Sequence, residues 1–175
     1  DSWGMSAGNS STIKNTKGTI NVNGENSVGM IAENGGQAEN SGNINISSNY
    51  IDMINDVETL FDSVSKGMSS EGGMIKNEAD GTITVSGSAI GMLTDNTNKA
   101  ENNGKIIISN SKNADITNKF TGVGMASHNK GEISNLGSIT SDVNNTIGML
   151  TSNGTINNLT DSNGKQAEIK LSGNE

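Results

Sequence analysis

Short stretches in which apolar and polar residues alternate recur along the whole chain. Examples are Ile44-x-Ile46, Ile83-x-Val85 and Ile106-x-Ile108. Strict alternation is typical of a β-strand that buries one of its two faces. Two of these strands lie in near-copies, AENSGNINI at 38–46 and AENNGKIII at 100–108. The strands therefore belong to an internal repeat, and the repeat predicts the architecture.

A Gly-Met pair marks each copy of the repeat. Seven of the eight methionines directly follow a glycine, and an Asn follows six of these pairs after ten or eleven residues. Successive pairs lie 25, 38, 24, 33 and 24 residues apart, which gives a base unit of 24–25 residues with two insertions. A Val or Ile normally precedes the pair, but Trp3 and Lys66 take that position in the first and third copies.

A unit of this length accommodates three short strands and three turns, which is one coil of a β-solenoid. The sequence therefore predicts an all-β fold, a right-handed parallel β-helix of about six coils spanning 1–175 as one domain. Five Asn-Gly dipeptides leave an antiparallel meander as the alternative fold. We expect equivalent Met side chains to stack in the core and equivalent Asn side chains to form an amide ladder. The residues assigned to this structural repeat are Gly29, Met30, Asn40, Gly91, Met92, Asn102, Gly124, Met125, Asn135, Gly148 and Met149.

The two long gaps place insertions at 47–66 and 109–121. Apolar residues in the first insertion are spaced by three and four, which predicts one inserted amphipathic helix, whereas the second is polar and predicts a loop. The helix either covers one side of the rod or presents a surface to a partner, because inserted segments on rigid scaffolds often carry binding functions. The candidate binding residues are Tyr50, Asp52, Asn55, Asp56, Glu58 and Asp62.

Composition narrows the function further. Only 30% of the residues are hydrophobic and 2% aromatic, which suits a thin core shared along a rod. The net charge of −8 argues against a nucleic-acid partner. The chain has no Cys, no Arg and one His, so we predict no metal site, no cofactor, no catalytic residues and no enzymatic activity. The acidic residues Asp80, Asp95, Glu101 and Asp142 fall at non-equivalent repeat positions, and His128 is interpreted as a solvated turn residue. A carbohydrate-active β-helix enzyme is the less favoured alternative.

The segments VGMIAENGGQAENSGNINI at 28–46, IGMLTDNTNKAENNGKIII at 90–108 and IGMLTSNGTINN at 147–158 resemble passenger-domain repeats of fusobacterial type V autotransporter adhesins. The resemblance implies a segment of a longer exported passenger on the bacterial cell surface. Such a passenger would be held at the outer membrane only through a C-terminal barrel, and we expect neither that barrel nor a signal peptide in this chain. The resemblance also implies attachment to host cells or other bacteria, with a host receptor, a glycan or a partner bacterium as ligand. The alternative function is a purely structural stalk.

Overall fold

The computed structural model describes residues 2–48, 61, 63–109 and 121–173 of the 175-residue chain. Within these ranges the backbone forms eighteen strands in three parallel sheets of six. Each coil contributes one strand to each sheet, in the same order every time, so the chain is a parallel β-helix of six coils. Because every named strand pair is parallel, the antiparallel meander is wrong. The predicted right-handed winding stays a prediction.

The first sheet carries the Gly-Met pairs and is called the Gly-Met sheet. Its register pairs Met5 with Met30, Met30 with Met68, and so on through every coil. A side chain on each glycine would collide with the next coil, since a Cβ on Gly29 would lie 2.6 Å from the carbonyl oxygen of Gly67. The strands are β1 Ser2–Ala7, β4 Ser27–Glu33, β7 Ser65–Glu71, β10 Ala89–Thr94, β13 Gly122–Ser127 and β16 Thr146–Thr151.

The second sheet, the Asn sheet, holds the repeated asparagines. The amide of each Asn donates to the side-chain oxygen of the Asn in the next coil, at 2.8 Å from Asn40 to Asn77 and 2.8 Å from Asn77 to Asn102. The ladder runs from Asn15 to Asn158 through five such bonds. The strands are β2 Thr12–Asn15, β5 Gln37–Asn40, β8 Met74–Asn77, β11 Lys99–Asn102, β14 Glu132–Asn135 and β17 Thr155–Asn158.

The third sheet, the Ile sheet, supplies most of the branched apolar side chains of the interior. Ile44, Ile83 and Ile106 are in register and fully buried, and they pack with the stacked methionines in one central core. A thin core of this kind is sufficient because each coil buries its neighbours. The strands are β3 Thr19–Asn23, β6 Asn43–Ser48, β9 Thr82–Gly87, β12 Lys105–Ser109, β15 Ser138–Ser141 and β18 Glu168–Leu171.

Left-handed residues turn the chain from the Gly-Met sheet to the Asn sheet. Asn34 and Gly35 have φ of 47° and 81°, and Asn96 and Asn129 occupy the same backbone region in later coils. Asn tolerates this region better than most residues with a side chain. The asparagines of this sequence therefore serve at corners as well as in the ladder.

The insertions begin and end close to strands. β6 continues to Ser48 and β7 begins at Ser65, while β12 ends at Ser109 and β13 begins at Gly122. The inserted amphipathic helix, its candidate binding residues at positions 50, 52, 55, 56, 58 and 62, and the loop at 110–120 lie outside the described residues. Among the described residues, no helix is long and apolar enough to cross a membrane.

Candidate functional site: a cleft on the outer face of the Gly-Met sheet

The outer face of the Gly-Met sheet is unusually apolar in its C-terminal half. Ile90 and Val123 face outward yet are fully buried, because they pack in a second cluster with Leu93 and Ala126 and with Phe61 and Val64 of the first insertion. The first insertion therefore ends against the sheet with two buried apolar side chains. Removing Phe61 and Val64 would expose this outer cluster to water, so these two residues are part of the folded unit.

The outer face changes character in its N-terminal half. The register aligns Trp3, Val28 and Lys66 with Ile90, so the two exceptions to the apolar position before Gly-Met stand on neighbouring parts of one face. The next outward row replaces Ile31 and Leu93 with Ser69 in the third coil. Polar and aromatic residues thus interrupt an otherwise aliphatic surface.

These interruptions form a cleft of about 380 Å³, which we call the side cleft. This volume lies within the range of about 300–1,000 Å³ found for small-molecule sites. Trp3 borders the cleft with 60% of its surface exposed, whereas Lys66 is 7% exposed. Lys66 donates from Nζ to Oδ1 of Asn26 at 3.4 Å. The walls include Trp3, Phe61, Lys66, Glu71, Asp95 and His128.

A row of acidic residues runs along one edge of the side cleft. Glu33 pairs in register with Glu71, and Asp95 follows Thr94 just as Glu71 follows Ser70, its register partner. Ser127 pairs with Thr94, which puts His128 next in the row. Three carboxylates and the only histidine therefore occupy equivalent positions on four successive coils. The sequence analysis missed this row because it compared Asp95 with Asp80, Glu101 and Asp142 and overlooked Glu33 and Glu71.

Two carboxylates of this row, Glu71 and Asp95, have pKa values raised above their ordinary values. Partial burial raises the pKa of Glu71, and the charges of Glu33 and Asp95 raise it further, against a lowering by Lys66. Partial burial also raises the pKa of Asp95, although hydrogen bonds from Asn98 and Asn96 and the charge of His128 oppose the shift. Like charges at adjacent positions cost stability. The described residues contain no group of three or more His, Cys, Asp or Glu arranged to hold a metal ion.

His128 is not a fully solvated turn residue as predicted. It is half-buried and lines the cleft, and its ring centroid lies 5.3 Å from that of Phe61 with the planes inclined at 44°. The interpretation failed because Phe61, which shields the ring, comes from an insertion 67 residues earlier in the sequence.

The outer face of the Asn sheet shows the opposite charge pattern. Lys14, Glu39, Lys76 and Glu101 lie in one register row and alternate in sign from coil to coil. Lys14 and Glu39 approach to 2.6 Å, and Lys76 and Glu101 to 3.6 Å. Alternation of this kind stabilises a ladder of strands, so this row is explained by the fold alone.

The structural repeat residues occupy the interior. Gly29, Gly91, Gly124 and Gly148 lie at the tight approach between coils, and Met30, Met92, Met125 and Met149 pack in or against the central core. Asn40, Asn102 and Asn135 are fully buried in the ladder. None of these side chains lines the side cleft, so the repeat forms the scaffold on which the cleft is built.

The fold and the cleft define the class: a parallel β-helix that carries a lateral cleft on one sheet. A scan against protein families matched residues 51–173 to the BigA third pectate lyase-like domain. The chain belongs to this family, and BigA is a bacterial surface protein. Comparisons with curated proteins and with solved structures gave no match.

Proposed function

We propose that this chain is a segment of a bacterial surface adhesin, a right-handed β-helix passenger of the type V autotransporter kind, exported to the cell surface and anchored at the outer membrane. It attaches the bacterium to host cells or to other bacteria by binding a surface protein or glycan, and it does so without catalysis. Membership of a family named for a bacterial surface protein supports the cellular location. The observation that carries the binding function is the side cleft, built where Trp3 and Lys66 break the apolar row.

The cost in folding stability of the groups that line this cleft supports a binding role for it. An exposed indole, a buried lysine and a row of like charges each cost stability in a rod that elsewhere stacks apolar or alternating groups. None of the three is needed for the coil, because Val28 and Ile90 fill the same position in neighbouring coils. A ligand that contacts these groups accounts for their presence. The acidic segment 49–62 remains part of the proposed surface, with Asp52, Asp56, Glu58 and Asp62 as its charged residues.

A carbohydrate-active enzyme is the second candidate, and one observation favours it. Glu71 and Asp95 are neighbours, and the pKa of each is raised, which is the property of a carboxyl group that acts as a general acid. We favour binding over hydrolysis because Glu71 and Asp95 are the only carboxylates among the described residues that line the cleft, and both lie on the same row.

The test is adhesion of beads coated with the purified chain to host epithelial cells and to other bacteria. We expect beads carrying the parent chain to adhere and beads carrying Trp3→Ala to adhere several-fold less. A second variant, Asp52→Asn/Asp56→Asn/Glu58→Gln/Asp62→Asn, tests the acidic segment while leaving Phe61 and Val64 in place. Glu101→Gln, on the outer face of the Asn sheet, is the matched control and should adhere like the parent.

The alternatives have distinct outcomes in the same experiment. A parent chain that adheres to no cell would favour the structural stalk. Release of reducing or unsaturated sugar ends from a polysaccharide panel, abolished by Asp95→Asn, would establish the enzyme and overturn our proposal.

A further inference from the structure

We infer that the side cleft recognises an uncharged sugar of a glycan and rejects acidic polysaccharides. The inference rests on the proposed binding function and narrows it to a class of ligand. It is argued from the shape of the cleft, the groups that line it and the sign of its charge.

The cleft presents aromatic surface at its rim. Trp3 keeps 60% of its area exposed although it stands in a row otherwise filled by aliphatic residues and Lys66. The ring of His128 lies on another wall, 5.3 Å from that of the buried Phe61. The flat faces of such rings pack against the C–H face of a sugar ring, which is apolar on that side. An exposed indole beside a small cleft is therefore suited to one sugar unit.

The side cleft is lined by both hydrogen-bond donors and hydrogen-bond acceptors. The Ser69 hydroxyl, which can both donate and accept, lines the cleft on a residue that is 2% exposed. Lys66 contributes a donor group, and Glu71 and Asp95 contribute acceptor oxygens. Sugar hydroxyls both donate and accept, so they match a mixed set of this kind. An aliphatic or purely cationic ligand would leave part of the set without a partner.

The charge of the cleft selects against acidic sugars. Glu33, Glu71 and Asp95 follow one another on three successive coils, about 4.8 Å apart along the rod. Added negative charge is unfavourable there, since the charges of Glu33 and Asp95 already raise the pKa of Glu71 beyond the effect of its burial. A uronate carboxylate in this cleft would meet Lys66 but also Glu71 and Asp95, with Glu33 beside Glu71 in the same register row. The chain also lacks Arg, the residue best suited to grip a carboxylate in a two-pronged pair.

A basic protein segment is the competing ligand, and Lys66 argues against it. The lysine already lies against Asn26 inside the cleft and lowers the pKa of Glu71 through its charge. Part of the negative charge is therefore compensated from within. An incoming lysine or arginine side chain would have to share the cleft with this buried cation, whereas an uncharged sugar would not.

The experiment is calorimetric titration of the 175-residue chain with four probes. The probes are oligosaccharides of neutral hexoses, oligomers of N-acetylglucosamine, oligogalacturonate and an oligolysine peptide. We expect one or both uncharged probes to bind and the two charged probes not to bind. Trp3→Ala should weaken that binding by about tenfold or more, and Glu101→Gln should leave it unchanged. Thermal melts of each variant verify that the fold is intact.

A second variant tests the effect of the cleft's charge on ligand selectivity separately from any effect on folding. Glu71→Gln removes one of the three carboxylates and should increase affinity for oligogalacturonate relative to the parent. The inference is overturned if oligogalacturonate or oligolysine binds as tightly as the uncharged probes, if Trp3→Ala has no effect, or if no uncharged probe binds. Should beads still adhere to cells while no uncharged probe binds, the adhesin proposal survives and only the sugar inference fails.

Discussion

The interior of the rod and the outer face of its Gly-Met sheet follow opposite rules along the axis. In the interior, each coil repeats the last one: Asn stacks on Asn, Gly on Gly and Met on Met. On the outer face, the same register row reads Trp3, Val28, Lys66 and Ile90 in four successive coils. Both rows experience the same spacing and the same backbone. The coil geometry therefore does not explain the difference between the two rows, which lies in the side chains themselves.

The contrast separates two kinds of constraint. An identical residue in every coil is explained by stacking, because a ladder or a tight approach works only when each member is present. A residue that breaks its row is not explained by stacking on an identical residue in the coils above and below. Trp3, Lys66 and the acidic row of Glu33, Glu71 and Asp95 are of this second kind, and all of them except Glu33 line one cleft.

The largest effect on stability should come from breaking the interior ladder at its centre. Asn77→Ala removes the bonds from Asn40 and to Asn102, so the buried Asn40 amide keeps only its bond to the Gly42 carbonyl and the buried side-chain oxygen of Asn102 loses its ladder donor. We expect a loss on the order of 3 kcal/mol in the free energy of unfolding, measured by urea denaturation with far-ultraviolet circular dichroism.

The matched control for the ladder is Asn45→Ala. Asn45 donates to Asn21 at 3.0 Å in the same ladder-like manner, but on the exposed face of the Ile sheet. Its loss should stay within about 0.5 kcal/mol. Equal losses in the two variants would show that burial of the ladder does not matter.

A smaller loss should follow from adding one methyl group between coils. A Cβ on Gly124 would lie 2.6 Å from the carbonyl oxygen of Gly148 and 2.7 Å from Cγ2 of Ile139. Gly124→Ala should therefore cost about 1–3 kcal/mol through overpacking. Gly8→Ala is the control, because its nearest neighbour would be 3.9 Å away. If Gly8→Ala destabilised the chain as much as Gly124→Ala, the close approach of the coils could not be the cause.

The smallest effect concerns the acidic row and has the opposite sign. The pKa of Glu71 is raised above its ordinary value of 4.5, first by burial and then by Glu33 and Asp95. The folded chain therefore holds this proton more tightly than the unfolded chain, and stability falls as the pH rises above that ordinary value. Glu71→Gln should raise the free energy of unfolding at about pH 7, by less than about 0.5 kcal/mol, and the gain should vanish near pH 4.

Glu101→Gln sharpens the comparison between the two charged rows. Glu101 approaches Lys76 at 3.6 Å and accepts a hydrogen bond from Asn103 at 2.8 Å. Neutralising it should slightly destabilise the chain at neutral pH, by a few tenths of a kcal/mol. Thermal melts of both variants at the two pH values measure this difference between the rows. A Glu101→Gln variant more stable than the parent, together with a Glu71→Gln variant less stable than the parent, would contradict it.

Much of the fold could be predicted from the sequence because the repeat carries it. The Gly-Met pairs and the Asn that follows each pair predicted six coils, and the three parallel sheets of six strands confirm the β-helix and its repeat. Local patterns were sufficient here, since every coil meets only its neighbours and equivalent residues must align. The two residues that break the row before Gly-Met, Trp3 and Lys66, were visible in the sequence as exceptions.

The cleft itself could not be predicted, for a physical reason. Its acidic row depends on the register at the ends of the Gly-Met strands. Different turn residues follow each member of the row, and the two insertions separate the members in the sequence. These members are Glu33, Glu71, Asp95 and His128. Counting forward from each Gly-Met pair would have aligned them, because each lies four residues after its glycine. The contact of Phe61 with His128 had no such signal, since insertions obey no repeat.

The most direct test of the central claim restores the broken row. The double variant Trp3→Val/Lys66→Ile gives the first and third coils the residues that neighbouring coils carry at the same position. Since Val28 and Ile90 show that the coil accepts an aliphatic side chain at this position, we predict a free energy of unfolding close to that of the parent. We also predict adhesion and sugar binding reduced by about tenfold or more. A double variant that unfolds more easily and still binds like the parent would contradict the claim that the interruptions of the repeat exist for a ligand.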